Sequence, residues 1–377
     1  MKVLYITTVN LAQESGVASK VKGEVKAMRK RGVDAQILYA TDSTINYVNL
    51  DDDRIFSLYR RWPIVGFFNM LKALYSKAFK LVDEKGYDGI YIRYSLSERS
   101  LIKFLKSLKR RSIKIFIEIA SYPYDGEYKT KSLVKKLGLQ IDKIYRRSLH
   151  KYVDYCFVPR EGIDSVYNMN TVLFDNGVNI KEIKPRYNVE HKKESLRLLG
   201  VANISPWHGY DRVIEGIKKY YDEGGGKNII FNIVGEGIEL NNLKNLVENL
   251  ELENNVIFHG KKFGKELDKI YESCDVGVAA IGVFRQGANN TSSLKTKEYC
   301  AKSLPFIVLG EEVGFDKDFP YAYRIENNSS PVDIFEVVNF FENIKEENYI
   351  EYMRTYAEER FDWEEKFKVV VDTMKSC

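Results

Sequence analysis

Short apolar runs alternate with amphipathic helical stretches along this chain, and the alternation is played through twice. In the first half the runs are Lys2–Thr8, Asp34–Ala40, Gly89–Tyr94, Ile113–Ala120, Tyr152–Val158 and Val172–Phe174. Stretches of helical period lie between them, among them Ser15–Arg31, Leu96–Lys109 and Lys129–His150. The second half restarts with runs at Leu196–Asn203, Asn228–Val234, Asn255–His259, Val276–Ala280 and Pro305–Leu309. Its helical stretches are Asp211–Tyr221, Leu240–Leu250, Lys265–Ser273 and Ser292–Lys302. Apolar runs separated by helices predict βαβ units around a parallel sheet.

The fold class that follows is α/β, with two Rossmann-like doubly wound domains. A chain of 377 residues is too long for one ordinary core and fits two. The seam is KEIKPRYNVEHKKE, residues 181–194, which is polar, holds a proline and has no apolar period. It divides a first domain, 1–180, from a second, 195–347. Residues 348–377 are expected to form a helical tail that crosses back to the first domain. Ligands of such folds sit beyond the carboxyl ends of the strands, so two facing domains would hold one in the cleft between them. This much fits a transferase and a two-lobed binding protein equally.

Composition removes other classes. No run approaches the roughly 20 apolar residues of a spanning helix. The opening MKVLYITTVN reads straight into a strand, so no signal peptide is expected. Cys156, Cys274, Cys300 and Cys377 are scattered, and His150, His191, His208 and His259 lack ligand spacing. Reduced thiols, a cytoplasmic protein and no metal are the expectations. Residues 1–180 carry 31 basic and 19 acidic side chains, the remainder 27 and 34. The basic half is expected to face an anionic partner.

Chemistry concentrates in TSSLKTKEYCAKSLPFIVL, Thr291–Leu309, which reads as loop, helix, strand. Ser292 or Ser293 can cap the helix, whose first amides, near Ser293 and Leu294, would receive phosphate. Lys295 adds a cation in the first turn. Glu298, three residues on, shares its face and can accept both hydroxyls of a ribose. An ordinary amphipathic helix with a solvated Lys–Glu pair reads equally well from spacing alone.

LKTKEYCAKSLPFIV resembles the donor-nucleotide helix of the family-four (group 1) glycosyltransferases of the GT-B fold. Further segments are similar in the expected order: SGVASKVKGEVKAMRKRGVDAQILYA, FDNGVNIKEIKP, VANISPWHGYDRVIEGI, FNIVGEGIELNNLKNLV with NNVIFHGKK, and FDWEEKF. The resemblance implies that Glu298 binds ribose and that Lys295, Ser292 and Ser293 serve the diphosphate. It implies that Gly235 and Gly237 let backbone approach the nucleotide, and that Gly16 lies beside the diphosphate. The sequence departs from the family where a glutamate near the transferred sugar is common, since Asn290 stands there. It departs again at an arginine and a lysine, where Asn203 and His208 stand. An amide carries no charge and a neutral imidazole is a weaker clamp. Lys295 with Arg212 or Arg285 is expected to take over.

In EIASYPYDGEY, Glu118–Tyr128, a strand ends in an acidic, aromatic loop. Asp125 and Glu127 are the acid–base candidates there, against a plain surface turn on Pro123, Asp125 and Gly126. Arg54–Lys80 has six basic residues, no acidic ones, and Trp62, Phe67 and Phe68 among them. That is the composition of an interfacial segment, or of a buried helix with a solvated basic face. KSLKRR, Lys106–Arg111, and the segment Lys131–Arg147 add charge. No nucleic-acid module is present, so no nucleic-acid partner is expected.

The resemblance implies a metal-independent hexosyltransferase without cofactor, moving a sugar from a nucleotide-diphosphate donor, a UDP-sugar, with retention of configuration. The acceptor implied is a glycan or lipid-linked glycan of cell-surface synthesis, reached by a peripheral protein on the inner face of an anionic membrane. A non-catalytic GT-B partner subunit and a GT-B sugar-nucleotide epimerase are the alternatives.

Overall fold

The computed structural model describes residues 1–12, 15–41, 44–48, 66–128, 133–158, 165–186, 194–287, 290–344 and 348–377, with main chain only at 127, 134, 290, 291 and 311. The chain forms two compact units, residues 1–177 with 363–377, and residues 178–362.

The first unit runs β1 (Lys2–Thr7), α1 (Gly16–Lys30), β2 (Asp34–Ala40), β3 (Ile45–Val48), α2 (Gly66–Lys85), β4 (Gly89–Arg93), α3 (Arg99–Lys109), β5 (Lys114–Glu118), α4 (Leu133–Tyr145), β6 (Tyr155–Val158) and β7 (Thr171–Leu173). Its sheet is ordered β3-β2-β1-β4-β5-β6-β7, parallel except where β3 turns back on β2. One face buries Leu4, Ile6, Ile90, Ile92 and Ile117 against α2 and α3. The other stacks Tyr5 on Tyr91 and Tyr91 on Phe157. Burial on both faces is why these strands read as continuous apolar runs. Strand β3 escapes a sequence reading because INYV is short and half polar.

Of Arg54–Lys80, residues 54–65, with Trp62, lie outside the described residues. The rest is α2, which buries Met70, Leu71, Leu74, Tyr75 and Ala78, with Phe67 packed on the same core. Lys72 and Lys80 are exposed. The described part is therefore a core helix with a solvated basic face.

The second unit runs β8 (Ser195–Val201), α5 (Tyr210–Asp222), β9 (Asn228–Val234), α6 (Leu240–Asn249), β10 (Val256–Phe258), α7 (Gly264–Glu272), β11 (Val276–Val278), β12 (Asn290–Thr291), α8 (Leu294–Ala301), β13 (Phe306–Leu309), β14 (Glu311–Glu312), β15 (Ala322–Ile325), α9 (Ile334–Glu342) and α10 (Tyr349–Phe361). Six parallel strands are ordered β10-β9-β8-β11-β13-β15, and β12 pairs with β14 apart from them. The order reverses at β8, which makes the carboxyl end of β8 the switch point of the sheet.

The polar stretch after residue 180 is not all free linker. Arg186 is buried, its main-chain N–H donates to Lys302 O at 3.1 Å, and its guanidinium donates to Tyr271 O, Cys274 O and Ser303 O. Residues 187–193 lie outside the described residues. The tail divides in the same manner. Helix α10 stays on the second unit, where Arg354 donates to Ile180 O, Ile183 O and Ala301 O. Two short helices, Trp363–Lys366 and Lys368–Ser376, belong to the first. There a Cβ on Gly23 would overlap the Trp363 indole, and Arg31 Nε donates to Glu364 O at 2.7 Å. Among the described residues no helix is long and apolar enough to cross a membrane.

Candidate functional site

The switch point of the second unit is built from two loops locked together. Ala202 N–H donates to Val234 O and Ile204 N–H to Glu236 O, at 2.9 and 2.7 Å. Gly235, with φ +128°, could not carry a Cβ, which would overlap Ala202 O. A Cβ on Gly237 would meet Ile204 O in the same way. These glycines therefore let one loop lie on the other. Asn203 is exposed between them, and its carbonyl accepts from Ser205 Oγ at 3.1 Å.

The chain then turns through Pro206–His208 into α5, with Gly209 left-handed at φ +67°. His208 is buried. Its Nδ1 accepts the Ser205 N–H at 3.1 Å, and its Nε2 lies 3.0 Å from Lys295 Nζ. Burial, with Lys295 beside it, holds the imidazole well below its ordinary pKa, so it is neutral. Lys295 is itself pushed down to about 8, by burial against the pull of Glu298 and Glu312. Burial raises Glu298, and Lys295 and Lys302 oppose the rise. Lys295 and Glu298 stand a turn apart on α8, both half-buried.

Ser293 is the cap of α8, its Oγ accepting Lys295 N–H at 3.2 Å. Its own N–H does not wait for a phosphate. It donates to Glu312 Oε1 at 2.6 Å, and Thr296 Oγ1 donates to the same oxygen at 2.7 Å. Glu312 is thus a carboxylate at the helix N-terminus, which a macrodipole favours as it would a phosphate. Sequence reading missed it because its place depends on β14 pairing with β12. Ser292 Oγ accepts from Lys297 Nζ at 3.3 Å, and Leu294 opens the helix. Asn290 pairs through its main chain with Glu311, and its side chain lies outside the description.

Two cations expected at the donor are committed elsewhere. Arg212 is 2% exposed and donates to Ile281 O at 2.6 Å, Ser330 O at 2.7 Å and Glu326 O at 3.2 Å. It ties the loop after β11 to the loop after β15. Arg285 makes a forked pair with Asp211, at 2.9 and 2.5 Å, and donates to Pro206 O. Lys295 alone among the three expected cations meets His208.

In the first unit, Gly16 opens α1, exposed, behind Ser15, whose side chain accepts Ala18 N–H. Asp125 is bound by Arg146 at 2.7 Å and Lys143 at 3.3 Å. The Arg146 hydrogen bond lowers its carboxyl, against the rise that burial brings, and the two cations tie the turn to the end of α4. Glu127 lies in the same turn, Asp125–Tyr128, with its side chain outside the description. Sequence reading missed a buried charge cluster at the ends of β4 and β5. Lys20 Nζ stands 2.9 Å from Glu118, 3.5 Å from Glu24 and 2.6 Å from Asn176 Oδ1, and Arg93 stands 2.6 Å from Glu118. Burial beside Glu118 raises Glu24 to about 7. Burial also presses Glu118 upward, but Arg93 and Lys20 outweigh it and leave that carboxyl lowered. Among the described residues no group of three His, Cys, Asp or Glu side chains could hold a metal ion.

Residues 181–282 match the family described as glycosyl transferases group 1. The whole chain superposes on a glycosyltransferase from Rickettsia africae ESF-5, with TM-score 0.67, 13% identity, and 100% and 98% of the two chains covered. Against Anabaena HepE in complex with UDP the TM-score is 0.65 at 11% identity, with both chains fully covered (100%). The fold is GT-B, and its segment 181–282 is similar to the group 1 glycosyl transferases. A Klebsiella pneumoniae protein, named only as an uncharacterized 41.2 kDa protein in cps region, is 27% identical over 242 residues. That match spans 60% of this chain and 58% of the Klebsiella protein. In the GT-B chain the matched group 1 segment takes in β8, the glycine turn, His208 and α5, and stops short of Lys295 and Glu298 on α8.

Proposed function

We propose that this GT-B protein is a glycosyltransferase that moves a sugar, with retention, from a UDP-sugar to a glycan or lipid-linked glycan of cell-surface polysaccharide synthesis. The donor would lie on the second unit and the acceptor on the first. The observation that carries the reading is the meeting of Lys295 with neutral His208 at the switch point, with Glu298 one turn along α8. A ribose needs an acceptor group such as Glu298, and a leaving diphosphate needs a cation such as Lys295. UDP stands in the bound form of Anabaena HepE, which supports the choice of base. Retention follows from the family resemblance, through front-face displacement in which the leaving diphosphate is stabilised by charge. An acceptor carried by a membrane lipid would put a peripheral protein at its inner face.

The test is a thermal-shift screen of UDP, GDP, ADP, CMP and dTDP on wild type and Glu298→Ala. A nucleotide at about 100 times its dissociation constant stabilises a fold by roughly 2.7 kcal/mol. A shift with UDP that Glu298→Ala abolishes is the expected result, and no shift with any nucleotide would overturn the donor site. Glu312 at the α8 N-terminus favours a second reading, a GT-B subunit that binds without transferring. Slow hydrolysis of UDP-sugar by the wild type would exclude it.

A further inference from the structure

The first turn of α8 carries no acidic residue of its own, and the negative charge there is brought in from another strand. Ser293 N–H and Thr296 Oγ1–H both donate to Oε1 of Glu312, at 2.6 and 2.7 Å, across 19 and 16 residues of sequence. The strand pair β12–β14 sets Thr291 beside Glu312 and so delivers that carboxylate to the cap. Glu312 is 3% exposed. Lys297 Nζ donates to the following carbonyl, Val313 O, at 3.0 Å, so α8 holds the segment at two points.

Both groups that the donor reading gives to a diphosphate are thus engaged by the protein itself. Ser293 N–H is taken by Glu312, and Lys295 Nζ lies 3.0 Å from His208 Nε2. A main-chain N–H at a helix start serves a carboxylate or a phosphate oxygen, and two anions that shared it would repel one another. Glu312 also pulls on the Lys295 ammonium, so it competes for the cation as well. The segment that carries it is able to give way. It lies between Gly310 and Gly314, the latter at φ +92°, and its pairing with β12 is two residues long and apart from the six-stranded sheet.

We propose that Glu312 is an internal competitor of the donor diphosphate, and that a nucleotide binds by displacing its carboxylate from Ser293 N–H. An anion with no further contacts, such as inorganic pyrophosphate, gains little to set against that displacement, whereas a nucleoside adds contacts of its own. The site then selects by what a ligand carries beyond its phosphates. Glu312 in this role regulates the proposed donor site, and the proposal rests on that reading.

The experiment is isothermal titration of UDP and of inorganic pyrophosphate into wild type and Glu312→Gln at about pH 6.5, below the range in which Lys295 loses its proton. Glutamine keeps an acceptor oxygen for Ser293 N–H and Thr296 Oγ1–H and removes the charge. Glu312→Gln should bind UDP at least about tenfold more tightly than wild type, and pyrophosphate more tightly by at least as much. Thr296→Val takes away one of the two hydrogen bonds that hold Glu312 and should tighten UDP about threefold, which carries the test if the glutamine variant does not fold. A UDP affinity that falls in Glu312→Gln would make the carboxylate a contact of the donor and overturn the proposal. So would a crystal structure with UDP in which Glu312 stays on Ser293 N–H. UDP bound equally by wild type and both variants overturns the competition and leaves the donor reading standing. Pyrophosphate tightened by Glu312→Gln, with no nucleotide bound by any of these chains, supports the competition and overturns the nucleotide reading alone. No binding of either ligand by any of them overturns both.

Discussion

Lys295 Nζ stands 3.0 Å from His208 Nε2 while the other imidazole nitrogen accepts the Ser205 N–H. In the other tautomer Nδ1–H donates to Ser205 O at 3.3 Å and Nε2 accepts from Lys295. A lysine with a pKa of about 8 is mostly an ammonium near pH 7, and it is this second tautomer that accepts from it. Glu298 on its own helix and Glu312 on β14 are the charges that oppose the shift. A bound diphosphate would supply an acceptor for the ammonium form and draw a proton onto it.

UDP affinity is therefore expected to hold below about pH 7 and to fall as pH rises through about 8, by up to about tenfold per unit. Lys295→Met should bind at least tenfold more weakly at pH 7 and show no such fall. Isothermal titration across the pH range reads both. A wild-type affinity unchanged up to about pH 9.5 would remove Lys295 from the diphosphate.

Arg212 and Lys295 should part company when each is changed. Arg212 spends its guanidinium on Ile281 O, Ser330 O and Glu326 O inside the unit. A lysine there leaves buried carbonyls unpaired, so Arg212→Lys should lose about 2–4 kcal/mol of stability. Its dissociation constant for UDP, measured below the unfolding range, should stay within about twofold of wild type. A lost affinity at full stability would return Arg212 to the donor.

The fold was legible because its strands are buried on both faces and its crossovers carry helical period. Strand β15, AYRI, escaped because it is a half-buried edge with charge in it. Lys295 and Glu298 were legible because helical spacing fixes which residues share a face. The loss of Arg212 and Arg285 to other partners was not, because those partners lie 69–118 and 74–79 residues away and meet only in the folded sheet. The same holds for Glu312, whose approach to Ser293 N–H depends on a two-residue strand pair.

The glycine turn gives a prediction that depends on packing alone. A Cβ at position 235 would overlap Ala202 O, in a backbone at φ +128° that side chains rarely adopt. Gly235→Ala should cost about 2 kcal/mol or more. Gly226, whose Cβ would meet open space, gives the control: Gly226→Ala should change stability by less than about 0.5 kcal/mol. Equal melting temperatures for the two variants would refute the close approach of the loops.

Glu24 ties the buried cluster of the first unit to pH. Burial, then the charge of Glu118, raises its carboxyl from 4.5 to about 7, while Lys20, Arg93 and the Tyr5 hydroxyl pull it down. A carboxyl raised on folding takes up a proton on folding, so its contribution is whole below about pH 4.5 and is lost as pH rises through about 7. Glu118, lowered, works in the opposite sense and loses its contribution only in acid. Glutamine keeps the shape of the protonated acid at every pH. Glu24→Gln should thus match wild type at about pH 5 and exceed it by about 1–2 kcal/mol at about pH 8.5. Chemical denaturation at the two pH values decides it. A variant less stable than wild type by the same amount at both would mean that Glu24 is ionised throughout, as the counter-ion of Lys20.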